Sequence, residues 1–529
     1  MTSRLARSAG LIGAATMTSR LLGVARELVL AALFGAGDAM DAFFVAFRIP
    51  NMVRDLFAEG AMSAAFVPTF TRRLASKGRD DAWRLGNLVI TALLLVTGTL
   101  VVAGIIFARP IVQAIARDYA EVPDKLELTI TLTRIMLPFL TMVAVAVAMM
   151  GMLNSLRRFF VPALSPAMFN IAMIASAFTL VPFMARLGLP PIAGIAVGAL
   201  LGGLGQIAIQ WPLLRHEGFR FRFTVDRHDE GLREVLLLMG PGTLGLAAVQ
   251  INIFVNTVLA TGEGTGAVSW LSYAFRFMYL PIGLFGVSIA TAALPELARH
   301  AAANDLASLR RTLSSGLRLM LMLNVPATIG LVALATPIIA LIFERGQFAA
   351  DGSTAPTAAA LVFYAPGLLG YSAVKLASPA FYALRDSRTP VVVSILSVAV
   401  NLVLNITLVG VIGYRGLALG TALAAIFNAA ALLWLLSRRL GGLDGRRTTV
   451  ALFKILAASA VMGIAVVAVE SWMRDLLPGA SLAVKTVRVF GSIGVGMLVL
   501  AACARFLHIQ EFNEAVRRVT GRLAPGIAR

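Results

Sequence analysis

Ala42-Phe43-Phe44-Val45-Ala46-Phe47-Arg48 and, about 228 residues further on, Trp270-Leu271-Ser272-Tyr273-Ala274-Phe275-Arg276 read as two copies of one helical unit, each closing on Ala-Phe-Arg. Both lie inside apolar stretches long enough to cross a membrane. The register holds around them. Ser63-Ala64-Ala65 falls on Thr291-Ala292-Ala293, Pro138 on Pro366, Leu156 on Leu384, Arg157 on Arg385 and Pro162 on Pro390. One residue out of step, Ala108-Arg109-Pro110-Ile111-Val112 returns as Ala335-Thr336-Pro337-Ile338-Ile339. Matching alanines and leucines are expected by chance in such a chain, whereas prolines and arginines kept in step across four spans are not.

Of the 529 residues, 58% are hydrophobic and only 14% charged, with a mean hydropathy of +0.84. A soluble protein cannot hide that much apolar surface. A membrane span needs about 20 largely apolar residues, and the chain divides into about 14 such segments. They run over 8–34, 40–70, 84–107, 127–153, 161–185, 190–214, 232–260, 267–295, 312–343, 357–384, 390–412, 416–437, 451–473 and 483–507, with ends good to about 4 residues. The fold class is therefore an all-α polytopic membrane protein, built from two six-helix repeats that form two lobes, plus two extra helices.

With six spans per copy both repeats enter from the same side, so they are parallel repeats; substrate is expected between such halves, exposed alternately by rocking. The expected organisation is an N-terminal lobe over 1–225, a C-terminal lobe over 226–440, spans 13 and 14 over 441–507, and a tail over 508–529 on the cytoplasmic surface. Assigning alternate loops to opposite sides puts roughly 28 Lys and Arg on the side of the termini against roughly 7 on the other, which makes both termini cytoplasmic. Arg72, Arg73, Lys77 and Arg79, then Arg215, Arg220, Arg222 and Arg227, dominate that bias.

The net charge of +19 is largely this loop bias, and no zinc-finger spacing or aromatic-basic RNA signature accompanies it, so nucleic acid is not an expected partner. Arg20 and Arg26 interrupt the first apolar run, so it is not a cleaved signal peptide. The one cysteine, Cys503, excludes an intramolecular disulfide and a cysteine metal cluster. Neither a cofactor nor a metal is expected.

Charges inside spans carry the chemistry, because an Arg near a span centre costs about 2.5 to 3.5 kcal/mol on insertion scales and normally faces protein or a wet cavity. They concentrate in spans 1, 2 and 8 as Arg20, Arg26, Glu27, Asp41, Arg48, Arg54, Asp55, Glu59 and Arg276. Residues seven apart share a helix face, so a purely structural reading stacks Arg20 on Glu27 and Arg48 on Asp41. Arg26, Arg54 and Arg276 have no acid three, four or seven positions away, leaving cationic groups suited to phosphate oxygens, or to acids on other helices. Arg134 and Lys375 are lesser candidates. Asn401 and Asn405 suit interhelical hydrogen bonds better than a cation site.

Thr18-Ser19-Arg20-Leu21-Leu22-Gly23-Val24-Ala25-Arg26-Glu27, Phe34-Gly35-Ala36-Gly37, Asp41-Ala42-Phe43, Phe47-Arg48-Ile49-Pro50-Asn51, Leu56-Phe57-Ala58-Glu59-Gly60-Ala61 and Phe66-Val67-Pro68 resemble the opening of the MurJ (MviN) family. That family comprises bacterial lipid II flippases within the group of multidrug, oligosaccharide-lipid and polysaccharide exporters. The likeness continues through Phe159, Pro162, Pro166 and Asn170, through Val268-Ser269-Trp270 to Arg276, and through Phe343-Glu344-Arg345-Gly346-Gln347-Phe348. It implies a two-lobed bundle of 14 helices around a cationic cavity, in the bacterial inner membrane, serving peptidoglycan and cell-wall biogenesis and so cell shape. By the resemblance, Arg20, Arg26, Arg54 and Arg276 bind substrate, Glu27, Asp41, Arg48 and Glu59 are supporting charges, and spans 13 and 14 form a groove for the polyprenyl tail. Three positions depart from the family pattern. Glu27 stands where Asp is common, Asp55 where a second Arg is frequent, and Phe275 where an Asp often precedes the arginine. Apart from Glu234 at the mouth of span 7, spans 7, 11 and 12 carry no carboxylate, so a sodium site like that of some relatives is not supported.

The resulting expectation is a transporter that moves lipid II outward by alternating access, working as a monomer among membrane lipids and biased by the membrane potential, worth about 2.3 kcal/mol per charge per 100 mV. No glycine-lysine phosphate loop points to ATP. The basic loops and tail read foremost as solvated; a cytoplasmic regulator, the cell-wall synthesis machinery or anionic lipids are the partners they would otherwise meet. The alternatives are an exporter of another polyprenyl-diphosphate-linked glycan, a drug exporter of the same fold, and a membrane enzyme acting on lipid-linked sugars. Arginines in the cavity disfavour cationic drugs. An enzyme usually needs a base or metal ligands near the membrane surface, yet His216, His228, His300 and His508 all fall on or near the cytoplasmic side, which leaves acidic loop residues such as Asp118, Glu121 and Asp124 for that role.

Overall fold

The computed structural model describes residues 2–55 and 65–512, with the backbone alone for 2–12, 53 and 240–249. Glu59 and the tail beyond Phe512 lie outside the described residues. Every regular element described is a helix. The chain opens with α1 (Thr2–Phe34), α2 (Asp38–Asp55), α3 (Val67–Ser76), α4 (Arg79–Ile106), α5 (Ala108–Ile115), α6 (Lys125–Met136), α7 (Phe139–Ser155), α8 (Phe160–Arg186), α9 (Ile192–His216) and α10 (Glu230–Thr261). It continues with α11 (Ala267–Pro281), α12 (Val287–Ala302), α13 (Leu306–Ala333), α14 (Ala335–Phe343), α15 (Gly346–Ala350), α16 (Thr354–Tyr364) and α17 (Gly367–Ala383). α18 (Arg388–Ile412), α19 (Tyr414–Arg439), α20 (Gly445–Leu476) and α21 (Leu482–Phe506) complete it.

Ten helices among the described residues are long and apolar enough to span a membrane, or eleven if the pair α16 and α17, bent by 44° at the Ala365-Pro366 break, counts as one. The remaining expected spans, the first, second and seventh, fall on α1, α2 and α10. These are helical but outside that set; α2 carries Asp38, Asp41, Arg48, Arg54 and Asp55 within 18 residues, a charge density that insertion into hydrocarbon opposes. Packing divides the chain into two compact units, Met1–Ser269 with Arg345–Asp351, and Trp270–Glu344 with Gly352–Arg529.

The duplication is visible in the helix ends. Pro138 and Pro366 sit at the breaks between α6 and α7 and between α16 and α17, where a missing amide interrupts the ladder. α7 and α17 both end on a left-handed residue, Arg157 and Arg385, each with φ of 60°. The amides that follow turn back in the same way: Arg158 donates to the Leu153 carbonyl and Asp386 to the Phe381 carbonyl, both at 2.9 Å, the wrap that satisfies orphan carbonyls at a helix end. The arginines in step at 157 and 385 are therefore cap positions. Ala108 and Ala335 likewise open the short helices α5 and α14 directly after α4 and α13.

Within each unit the tightest helix pair relies on glycine, as expected where lipid removes any hydrophobic drive for helices to meet. A Cβ on Gly198 of α9 would fall 2.6 Å from the Ser176 Cβ of α8, and one on Gly420 of α19 would fall 2.1 Å from the Asn405 Oδ1 of α18. Asn405 donates to Asn401 at 3.0 Å, and Asn401 to Thr421 of α19 at 3.4 Å; these amides are interhelical groups. In the first unit Phe66, Phe70, Trp83 and Phe219 anchor the core; in the second Leu309, Leu313, Phe381 and Leu432 do so. α10 is capped by the preceding Asp229, whose side chain accepts from the Leu232 amide at 3.0 Å and takes both arms of Arg73 from α3 at 2.7 and 3.1 Å. Burial pushes that carboxyl up, but the Leu232 amide and the Arg73 guanidinium hold it below the ordinary carboxylate range.

Candidate functional site

The first unit gathers most of the charged residues singled out in the sequence. Arg26 of α1 donates to the adjacent Glu27, and its guanidinium lies 5.3 Å over the Phe169 ring of α8. Phe169 is itself held by Phe47 at 5.8 Å and Phe139 at 5.3 Å, with Phe43 stacked on Phe47 at 5.9 Å. Asn170, the next residue, donates to the Ser19 carbonyl at 3.1 Å and ties α8 to the arginine-bearing stretch of α1. A guanidinium on an aromatic face is fixed in direction while keeping its charge.

Arg54, near the end of α2 as described, sends Nε and Nη2 to Asp55 Oδ1 at 3.0 and 2.7 Å. The other oxygen of Asp55 accepts from Asn51 and from Gln250 of α10, each at 3.4 Å. The expectation that Arg26 and Arg54 lack acidic partners is thus corrected. Side chains one residue apart do not face each other on a helix, but arginine is long enough to wrap back to its neighbour. Glu27 is taken by Arg26 rather than by Arg20, which lies exposed on α1.

Asp41 corrects a second expectation. Rather than stacking on Arg48, its fully buried carboxylate meets Lys125 of α6 at 3.0 Å and the Ser269 hydroxyl at 2.6 Å. It also accepts from the Ser269 amide at 3.0 Å and the Gly266 amide at 2.7 Å. Lys125, equally buried, also pairs with Asp38 at 2.8 Å and sits 4.2 Å from the Tyr119 ring centre. Arg48 is half-buried on the same helix. Lys125 was missed in the sequence because it stands at the mouth of a span, where a lysine reads as a solvated end. The available signal was the Asp38 and Asp41 pair, three residues apart on one face and requiring a cation.

In the second unit Arg276 is exposed on α11, five residues before Pro281 and the π-helical turn Ile282–Gly286. Phe275, at the position of one departure from the family pattern, joins Tyr279 at 5.5 Å, Tyr364 at 5.4 Å and Tyr371 at 6.2 Å. An aromatic cluster therefore occupies that place. Lys375 and Arg134 are exposed on α17 and α6. α20 and α21 are joined at one end by Glu470, which takes Arg474 at 2.5 Å and also Arg488. Lys485 of α21 reaches Glu344 at 2.6 Å. Among the described residues no group of three His, Cys, Asp or Glu is arranged to hold a metal.

A family model described as "Lipid II flippase MurJ" matches residues 30–486. The chain belongs to the MurJ family. A family member from Rhizobium meliloti (strain 1021), named probable lipid II flippase MurJ, is 35% identical over 502 residues, covering 93% of this chain and 92% of its own. Among solved structures, "Lipid II flippase MurJ, inward closed conformation" superposes with a TM-score of 0.76 at 26% identity over 94% of this chain and 99% of that one. An inward-facing multidrug MATE transporter of the MOP superfamily shares the fold, with a TM-score of 0.67 at 17% identity over 83% of this chain and 99% of that one. The chain is accordingly a multi-pass helical membrane protein with a transporter fold.

Proposed function

We propose that this chain flips lipid II, the peptidoglycan precursor in which a polyprenyl diphosphate carries a disaccharide-peptide, from the inner to the outer leaflet of the bacterial inner membrane. The observation that carries this reading is the family match over residues 30–486, reinforced by the superposition on a lipid II flippase over nearly the whole of both chains. The protein acts as a transporter, by moving a headgroup rather than by making or breaking a bond in it.

In this reading Arg26 and Arg54 bond the diphosphate, Arg20 helps to organise it, and Arg276 of the second repeat supplies a further guanidinium; forked donors match phosphate oxygens two at a time. Glu27 and Asp55 hold two of the forks until the diphosphate replaces them. The lobes over 1–225 and 226–440 rock, with α1, α2 and α10 as further spans beside the ten or eleven above. The polyprenyl tail lies along α20 and α21, whose faces expose Ile464, Met497 and Leu498. An inside-negative potential favours outward movement of the anionic head without nucleotide hydrolysis.

The test is depletion of the protein in its host followed by measurement of how much lipid II headgroup is reachable from outside the cell. Lipid II accumulates on the cytoplasmic side, and wild type restores its export. Arg54→Ala and Arg276→Ala are expressed at normal levels and fail to restore it. Unchanged sidedness on depletion refutes lipid II as the cargo, while full rescue by Arg276→Ala removes that residue from the binding set.

A further inference from the structure

Within the second unit, the start of α20 and the end of α21 flank a cavity of about 660 Å³ lined by Arg310, Arg446, Arg447, Lys454 and His508, together with Asp444 and Glu511. Both carboxylates are already engaged. Asp444 accepts from Arg310 at 2.8 Å, and Glu511 from the buried Arg318 at 2.6 Å. Arg446, Arg447 and Lys454 have no carboxylate partner among the described residues. Arg447 donates to the Gln510 side-chain oxygen, and Lys454 to the Leu507 carbonyl at 2.8 Å. These neutral acceptors hold the cations in place without cancelling their charge. The Nε of Arg310 is buried with no acceptor among the described residues. A concave, net-cationic lining of this kind suits an anion, and arginine forks select phosphate oxygens.

The position within the unit specifies the source of that phosphate. α13 begins at Leu306, α20 begins at Gly445 and α21 ends at Phe506, so the cations stand at the ends of membrane-crossing helices, at the depth of lipid headgroups. Residues four apart share a helix face, which aligns Arg446, Val450 and Lys454. Next to them Val450 is 49%, Phe453 67% and Phe506 82% exposed. A soluble phosphate would use only the cationic rim, whereas a phospholipid uses both the rim and the apolar strip. We propose that this cavity binds the phosphate headgroup of an anionic phospholipid of the surrounding leaflet, with its acyl chains laid on Val450, Phe453 and Phe506. The proposal uses none of the arginines assigned to the transported diphosphate.

The full-length protein in a neutral detergent would be titrated with dioleoyl phosphatidylglycerol, with the zwitterionic dioleoyl phosphatidylcholine, and with inorganic phosphate, adducts being counted by native mass spectrometry. Phosphatidylglycerol is expected to bind on the order of tenfold tighter than phosphatidylcholine, with millimolar phosphate failing to displace it. Arg446→Gln/Arg447→Gln/Lys454→Gln should reduce the preference to near unity, and the exposed single change Arg446→Gln should reduce it in part. An equal charge loss elsewhere, Arg215→Gln/Arg220→Gln/Arg222→Gln, should leave it intact. A preference that survives the triple change, or falls equally in the control, overturns the site. Displacement by inorganic phosphate with no lipid preference overturns the lipid and leaves a soluble anion.

Discussion

Arg54 and Asp55 set the chemistry of α2 at its described end. On the role proposed for Arg54, a guanidinium that already holds a carboxylate oxygen at 2.7 Å would bind an incoming diphosphate by exchange, so the neighbour would weaken affinity and speed release. Asp55→Asn removes the competing charge while keeping the shape. Its expected effect is a several-fold tighter binding of undecaprenyl diphosphate, consistent with the roughly twofold greater strength of charge-assisted hydrogen bonds, and a slower outward turnover. Equilibrium binding to the purified protein and lipid II export in cells measure the two sides, and unchanged affinity would mean that Asp55 does not compete for Arg54. The arginines themselves were legible in the sequence as expensive charges in apolar runs. Their partners were not, because helix-face spacing tests three, four and seven residues along and overlooks a long side chain that folds back onto the next residue.

α2 and α6 are joined by the buried pair of Lys125 and Asp41, with the part-exposed Asp38 on the other side of the lysine. Removing one member of a buried pair leaves an uncompensated charge, and such losses typically cost about 3–5 kcal/mol. Lys125→Met should therefore lower the thermal midpoint of the purified protein steeply. Lys125→Met/Asp41→Asn should recover a large part of it, because the second change removes the stranded charge. Equal midpoints for the single and double variants would show that the pair contributes packing rather than charge balance. Elsewhere the sequence announced the repeat better than its local structure. The paired prolines and the paired arginines at 157 and 385 gave the register of the repeat, but their roles were not legible: the prolines stood inside single expected spans that the structure breaks there, and nothing in the arginines' spacing pointed to left-handed caps. The short α15 was less legible. It leaves its sequence neighbours to join the first unit, where a Cβ on Gly346 would lie 2.2 Å from the Ala32 carbonyl oxygen. No periodic pattern encodes so distant a return, and only the family resemblance of Phe343 to Phe348 drew attention to it.

At the scale of the molecule, the helical membrane class and the duplication follow from hydropathy and register, while the sidedness rests on charge. α4 is the cleanest place to test it. Its 28 residues measure about 42 Å at 1.5 Å per residue, enough to cross a bilayer, whereas the 8-residue α5 that follows spans only about 12 Å and cannot return the chain. Ser76 and Glu121, both exposed, should then lie on opposite sides of the membrane. Arg72, Arg73, Lys77, Arg79 and Arg84 cluster at the start of α4, and lysines and arginines are retained on the cytoplasmic side. In a Cys503→Ser background, which removes the only native thiol, Glu121→Cys should react with a membrane-impermeant maleimide on intact cells. Ser76→Cys should react only after permeabilisation. The reverse pattern would invert the whole topology, and with it the direction of the proposed transport, because every later loop alternates from this one. Labelling of both positions on intact cells would instead show that α4 does not cross.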